Sequence, residues 1–149
     1  MLQPLSKPEL AFLIRARLPS LLLDVSGMPP AGFAIYTLSD PRDLRHVRYV
    51  GQTRLPRRRL LQHLNCARLW LPDEVPWWFG SPELRPLYEW IRALHRDEYR
   101  LPAMLVTAWT GSVAEARLAE RELIMQHLAD QHELLNFEHE LLERQSLLL

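Results

Sequence analysis

A single cysteine, Cys66, in 149 residues excludes an internal disulfide and any zinc site built from CxxC pairs. A lone thiol also suits a reducing compartment. No stretch approaches the roughly 18 apolar residues that a membrane helix needs. Near the N-terminus Lys7, Glu9, Arg15 and Arg17 interrupt every apolar run, so no secretory signal is expected. These absences predict a soluble, cytoplasmic protein. Net charge is absent too, with 18 basic residues balanced by 18 acidic ones. Lysine is nearly missing, for Lys7 is the only one and arginine supplies the rest. The 5 glycines and 12 prolines are scattered, and there is no internal repeat. What remains is 48% hydrophobic, a globular composition in a length that fits one domain.

Neutrality hides an uneven distribution. Arg42, Arg45, Arg48, Arg54, Arg57, Arg58, Arg59 and Arg68 fall between positions 42 and 68 against one acid, Asp43. From Glu115 to the end the balance reverses. A basic stripe can grip phosphate on a neutral molecule, because binding follows the local field. Arginine suits phosphate through its planar, two-pronged fork of donors. The competing explanation is an ordinary solvated surface.

Local patterns predict a small mixed α/β domain, with a short three-stranded, antiparallel-type sheet flanked by helices. Ser6-Lys7-Pro8-Glu9 has the form of a capping box that opens a helix ending before Pro19, with Leu10, Ala11, Leu13 and Ile14 inward. Residues 1–30 are read as a helical extension packed on the domain. Gly32–Leu38 and a segment around Val47–Val50 are rich in β-branched and aromatic residues and predict an antiparallel hairpin. Pro56 starts a short helix through Leu64. The stretch at about 66–102 reads as an insertion with one amphipathic helix near Leu84–Leu94, and Met104–Trp109 as the third strand. Ser112-Val-Ala-Glu115 predicts a second capping box and a helix to about Leu128. The domain should close near 137, leaving a tail at 138–149 with helical periodicity.

Five side chains stand out on these elements. The hairpin can bring Tyr36 and Tyr49 to one side of the sheet. Arg59 and His63, four apart, share a helix face. On the last helix Glu115, Glu122 and Gln126 mark the wet side, and Glu120 falls opposite, between Ala116 and Ile124. A carboxylate on a core-facing stripe must meet a cation, either an arginine or a metal ion. Taken singly, each residue has an ordinary explanation: strand aromatics, a surface histidine, a wet arginine face, a structural salt bridge.

Taken in order, they resemble the GIY-YIG nuclease family across about residues 32–136. Ala34-Ile35-Tyr36 stands for the first motif and Tyr49-Val50-Gly51 for the second. Arg59 is ten residues after Tyr49, and His63 follows four later. Glu120-Arg-Glu-Leu-Ile-Met-Gln-His127 is similar to the glutamate helix of the bacterial excision-repair incision subunit, and Leu135-Asn136 supplies the terminal asparagine. Ala34 replaces a glycine, Gln52 stands where the repair enzymes have lysine, and the segment after His63 is longer than in compact members.

The resemblance implies a metal-dependent endonuclease hydrolysing phosphodiester bonds in DNA. Glu120 would hold one Mg²⁺ or Mn²⁺ ion. Arg59 would clamp a non-bridging oxygen. Tyr49 or His63 would take a proton from the attacking water, and Tyr36 would orient water or phosphate. Gly51, Gln52, Thr53, Arg54, Arg57, Arg58 and Asn136 would contact the substrate. The alternative is a catalytically degenerate fold that binds nucleic acid or protein. Trp70, Trp77, Trp78, Phe79, Tyr88 and Trp90 in the insertion could stack on bases, receive a protein partner or a second copy of the chain, or simply close a satellite hydrophobic cluster. His127 could join the site or sit at the core edge, and Cys66 is expected to be a small buried filler.

Overall fold

The computed structural model describes residues 5–136. In chain order these form α1 (Lys7–Leu21), β1 (Leu22–Asp24), β2 (Phe33–Ser39), β3 (Val47–Thr53), α2 (Pro56–Cys66), α3 (Arg85–Glu98), β4 (Ala103–Thr110) and α4 (Val113–Ala129). The tail at 138–149 lies outside the described residues.

The capping box that opens α1 forms as its sequence predicts. Ser6 Oγ accepts the Glu9 amide and the Glu9 carboxylate accepts the Ser6 amide, each at 3.3 Å. The helix does not stop before Pro19, however, but runs to Leu21. Proline there falls in the last turn, where few further helical bonds depend on it, and the Leu22 amide still reaches the Leu18 carbonyl. The second box is only half formed. Ser112 Oγ accepts the Glu115 amide at 3.2 Å, but the Glu115 carboxylate turns to the Gly111 amide at 3.1 Å.

The expected hairpin of β2 and β3 is present, antiparallel, with Tyr36 opposite Gly51. The sheet has four strands, not three, in the order β1-β4-β2-β3. It is also mixed, because β1 pairs parallel to β4 while the other two pairings are antiparallel. The missed strand is only three residues long and follows α1 directly, too short to show a period of its own. Residues assigned by sequence to an N-terminal extension thus contribute a strand to the same sheet. At the entrance to β2, Gly32 has φ +75° and faces the Thr110 carbonyl so closely that any β-carbon would collide with it.

Each face of the sheet carries its own core. One cluster joins α1, α2, α3 and the insertion through Leu10, Leu60, Leu64, Trp78, Ile91 and Met104, with Tyr36 at its centre. The other packs α4 through Ala116 and Ile124 onto Ile35, Val47 and Val50. In β3 a bulge opposite Leu38 and Ser39 inserts Arg48 between the ladder positions of Val47 and Tyr49.

Candidate active site

The hairpin sets the first two groups. Tyr36 and Tyr49 lie on the same face with ring centroids 6.3 Å apart. The Tyr36 ring folds across Gly51, where a β-carbon would stand 2.5 Å from both Cζ and Oη. Gly51 is therefore required for space, not for its backbone angle. Its role is to seat Tyr36, which no side chain at that position would allow.

Helix α2 sets the next two. Pro56 occupies its first turn, where a missing N–H costs nothing, and the four-residue spacing turns Arg59 and His63 to one side. Both meet the same hydroxyl. His63 Nε2 is 2.8 Å from Tyr36 Oη, and Arg59 Nε donates to that oxygen at 3.5 Å. Because guanidinium N–H can only donate, Tyr36 oxygen accepts from Arg59, while the direction of its contact with His63 Nε2 follows the histidine's tautomer. His63 Nδ1 is buried and has no partner among the described residues. Buried orphan polar atoms are rare in finished cores and call for a functional or solvent explanation.

Electrostatics sharpen the roles. Burial, reinforced by the Arg59 charge, pushes the His63 pKa down to about 3. His63 is therefore unsuited to collecting a proton near neutral pH. Burial, reinforced by Tyr49, holds the Tyr36 phenol well above its ordinary range, so Tyr36 stays protonated. The two form a neutral, sealed pair, with Tyr36 0% and His63 1% exposed. Tyr49 and Arg59 are only partly buried and border it.

Helix α4 brings the carboxylate. Ala116 and Ile124 are buried while Glu115, Glu122 and Gln126 are exposed, the sidedness that the sequence predicts. Glu120 is partly buried between them, and its charge acts on Tyr36. Among the described residues no three His, Cys, Asp or Glu side chains gather into a metal cage. A Mg²⁺ ion needs none: it keeps several waters and takes one or two carboxylates with phosphate oxygens. A single carboxylate at Glu120 fits that demand.

One member escaped the sequence reading. Tyr88, from α3 of the insertion, sits with its ring 6.2 Å from His63. Its phenol is pushed up to about 12 by burial and then by the neighbouring Cys66. The amphipathic stretch that carries Tyr88 was visible, but nothing in its spacing pointed towards α2. Cys66 is partly buried, and its carbonyl accepts Trp78 Nε1 at 2.6 Å.

The residues expected to contact substrate scatter more widely. Thr53 Oγ1 accepts the Leu55 amide at 3.2 Å just before α2, and Gln52 Oε1 is buried without a partner among the described residues. Arg54 lies over the Phe33 ring at 4.7 Å, Arg58 is exposed, and Arg57 reaches the rim of a cavity between α1 and α2 of about 380 Å³. A second cavity, about 560 Å³, lies beside Arg17 and Tyr99; the tyrosine–histidine cluster lines neither. Asn136 is placed differently from its expected substrate role. Its amide is buried and doubly bonded to the Val50 backbone, at 3.1 and 2.9 Å, so it braces β3.

In the insertion, Trp78 and Tyr88 are buried, Trp70 and Trp90 pack against the same core, and Trp77 and Phe79 remain outside. Exposed Asp73, Glu74 and Glu83 lie along this segment, and the exposed Arg85 guanidinium stacks on Phe79 at 3.7 Å. His127 sits at the core edge beside His132, not at the cluster. No helix among the described residues is long and apolar enough to cross a membrane. Compared with protein-family models, with curated proteins and with solved structures, the chain matches none.

Proposed function

We propose that this chain is a metal-dependent DNA endonuclease of the GIY-YIG type. The observation that carries the proposal is the convergence on one hydroxyl: Tyr36 from β2 meets Arg59 and His63 from α2, beside Tyr49 from β3, under the charge of Glu120 from α4. Four elements, three of them consecutive in the chain and the fourth some fifty residues on, deliver side chains that a phosphoryl-transfer site uses and that a plain core does not need.

In this site Arg59 grips a non-bridging phosphate oxygen and stabilises charge as it develops. Tyr49, as its phenolate beside the Arg59 charge, takes the proton of the attacking water and becomes the neutral phenol, a role that buried His63 resists. The buried Tyr36 hydroxyl, held against His63, serves as a positioning group that orients the Arg59 guanidinium towards the phosphate. Glu120 would hold a divalent ion, whose chemistry when bound is to neutralise phosphate charge and ease departure of the 3′-oxygen. Exposed Arg58, with Arg54 and Arg57, supplies further phosphate contacts along the strand.

The test is plasmid nicking in Mg²⁺ or Mn²⁺. Arg59→Ala should lose about 10²- to 10³-fold in rate, as removal of one charge-stabilising donor does elsewhere, and Glu120→Ala at least as much. Undiminished cutting by either variant overturns this mechanism. No cutting by the wild type, with salt-sensitive DNA binding intact, would favour a binding module on the same fold.

A further inference from the structure

The sheet ends at β3, and an uncovered terminal strand is a template for unwanted pairing. Here the chain covers that edge with its own residues 132–136. The Val47 amide donates to His132 Nδ1 at 3.4 Å, the Leu135 amide donates to the Arg48 carbonyl, and Asn136 clamps both backbone atoms of Val50. Side chains from this segment enter both cores, Leu134 on the α4 side and Leu135 on the other.

His132 is not alone. It stacks on His46 from the turn before β3, with centroids 5.4 Å apart and planes within 9°. On its other side stands His127, near the end of α4, at 4.8 Å, with the two Nδ1 atoms 3.0 Å apart. A backbone N–H can only donate, so His132 Nδ1 must be unprotonated to receive Val47. This arrangement exists in one charge state. A proton on His132 Nδ1 displaces the Val47 amide, and charge on two of three stacked rings is repulsive.

The surroundings offer modest relief. Asp130, at the end of α4, favours a proton on His127, but burial and His132 outweigh it and hold His127 below its ordinary range. In the turn that carries His46, the Asp43 carboxylate accepts the Arg45 amide. The Arg48 guanidinium lies over Trp90, 5.8 Å from its ring, and Glu133 is exposed. Among the described residues no three His, Cys, Asp or Glu side chains are arranged to hold a metal ion.

We propose that His46, His132 and His127 form an acid-sensitive latch: neutral, the stack fastens residues 132–136 along β3, and protonated, it releases them and bares the strand's edge. The latch is independent of the nuclease proposal, since it governs the sheet edge whether or not the chain cuts DNA.

Amide hydrogen exchange on the full chain, read by NMR at pH 7.5 and 5.5 and corrected for the intrinsic rate, tests it. The Val47 and Val50 amides should lose at least ten-fold protection at pH 5.5, while Leu105 and Val106 in β4 stay protected. His132→Asn keeps an acceptor near the Nδ1 position that cannot be protonated, and should abolish the pH dependence at Val50. Unchanged protection of Val50 at pH 5.5 overturns the proposal, as does loss in step with β4 or an equal loss in His132→Asn. Should that variant fail to fold, His127→Gln serves in its place, and the wild-type comparison of β3 with β4 decides by itself.

Discussion

The two faces of the sheet are finished by different means. Against α4 lies a small aliphatic cluster of Ile35, Val47, Val50, Ala116 and Ile124, whose only demand is volume. Against α1, α2 and α3 lies a larger cluster that includes Tyr36, Trp78 and Tyr88, and aromatic groups with polar tips must find partners as well as space. Trp78 Nε1 finds the Cys66 carbonyl and Tyr36 finds His63 and Arg59. Chemistry is therefore expected on the side where packing leaves specific polar atoms to be satisfied. The aliphatic side serves as support, apart from Glu120 at its margin.

Three measurements bear on this contrast. The largest effect should follow Trp78→Ala, which removes a fully buried ring and its hydrogen bond and should cost about 3–5 kcal/mol in urea unfolding. Ile124→Val on the other face should cost only about 0.5–1.5 kcal/mol. Equal losses would erase the distinction between the faces. Next comes Gly51→Ala, whose β-carbon must push the Tyr36 ring out of its seat, at about 1–3 kcal/mol for overpacking. Because the displaced ring is the hub of the site, nicking should fall further than stability. A variant that cuts normally would remove Tyr36 from the mechanism.

The smallest effect, per unit of pH, concerns the sealed pair. His63 has a folded-state pKa lowered to about 3 from an unfolded value near 6.5, so its contribution to stability is complete above pH 6.5. As pH falls from 6.5 towards 3, the unfolded chain takes a proton that the folded chain refuses. Stability should drop by about 1.4 kcal/mol per pH unit in that window. The raised Tyr36 phenol acts in the opposite direction, losing stability only as pH rises beyond about 10, where the unfolded phenol ionises. Unfolding midpoints of the wild type and His63→Phe across pH 4–7 check this. A slope that persists undiminished in His63→Phe would place the acid sensitivity elsewhere, the histidine stack being the next candidate.

Much of the site was legible before any coordinates, and for a local reason. Tyr36 and Tyr49 are two strand positions in a hairpin, Arg59 and His63 are one turn apart, and Glu120 lies between two alanine- and isoleucine-bearing turns of its helix. Each of these relations spans one or two adjoining elements. The bracing of the Val50 backbone by Asn136 was not legible, because the two lie 86 residues apart. Tyr88 and the histidine stack were missed for the same cause: their partners come from segments separated by tens of residues.

By itself the sequence determined the longer helices and strands, the hairpin and the wet and dry sides of α4, because periodicity, capping and steric preference act within a few residues. Only the tertiary structure decided that β1 would join the sheet, that Tyr36 would be the shared partner of Arg59 and His63, and that Tyr36 and His63 would be buried together. Those outcomes depend on burial and on contacts between distant segments, and neither exists until the chain has closed on itself.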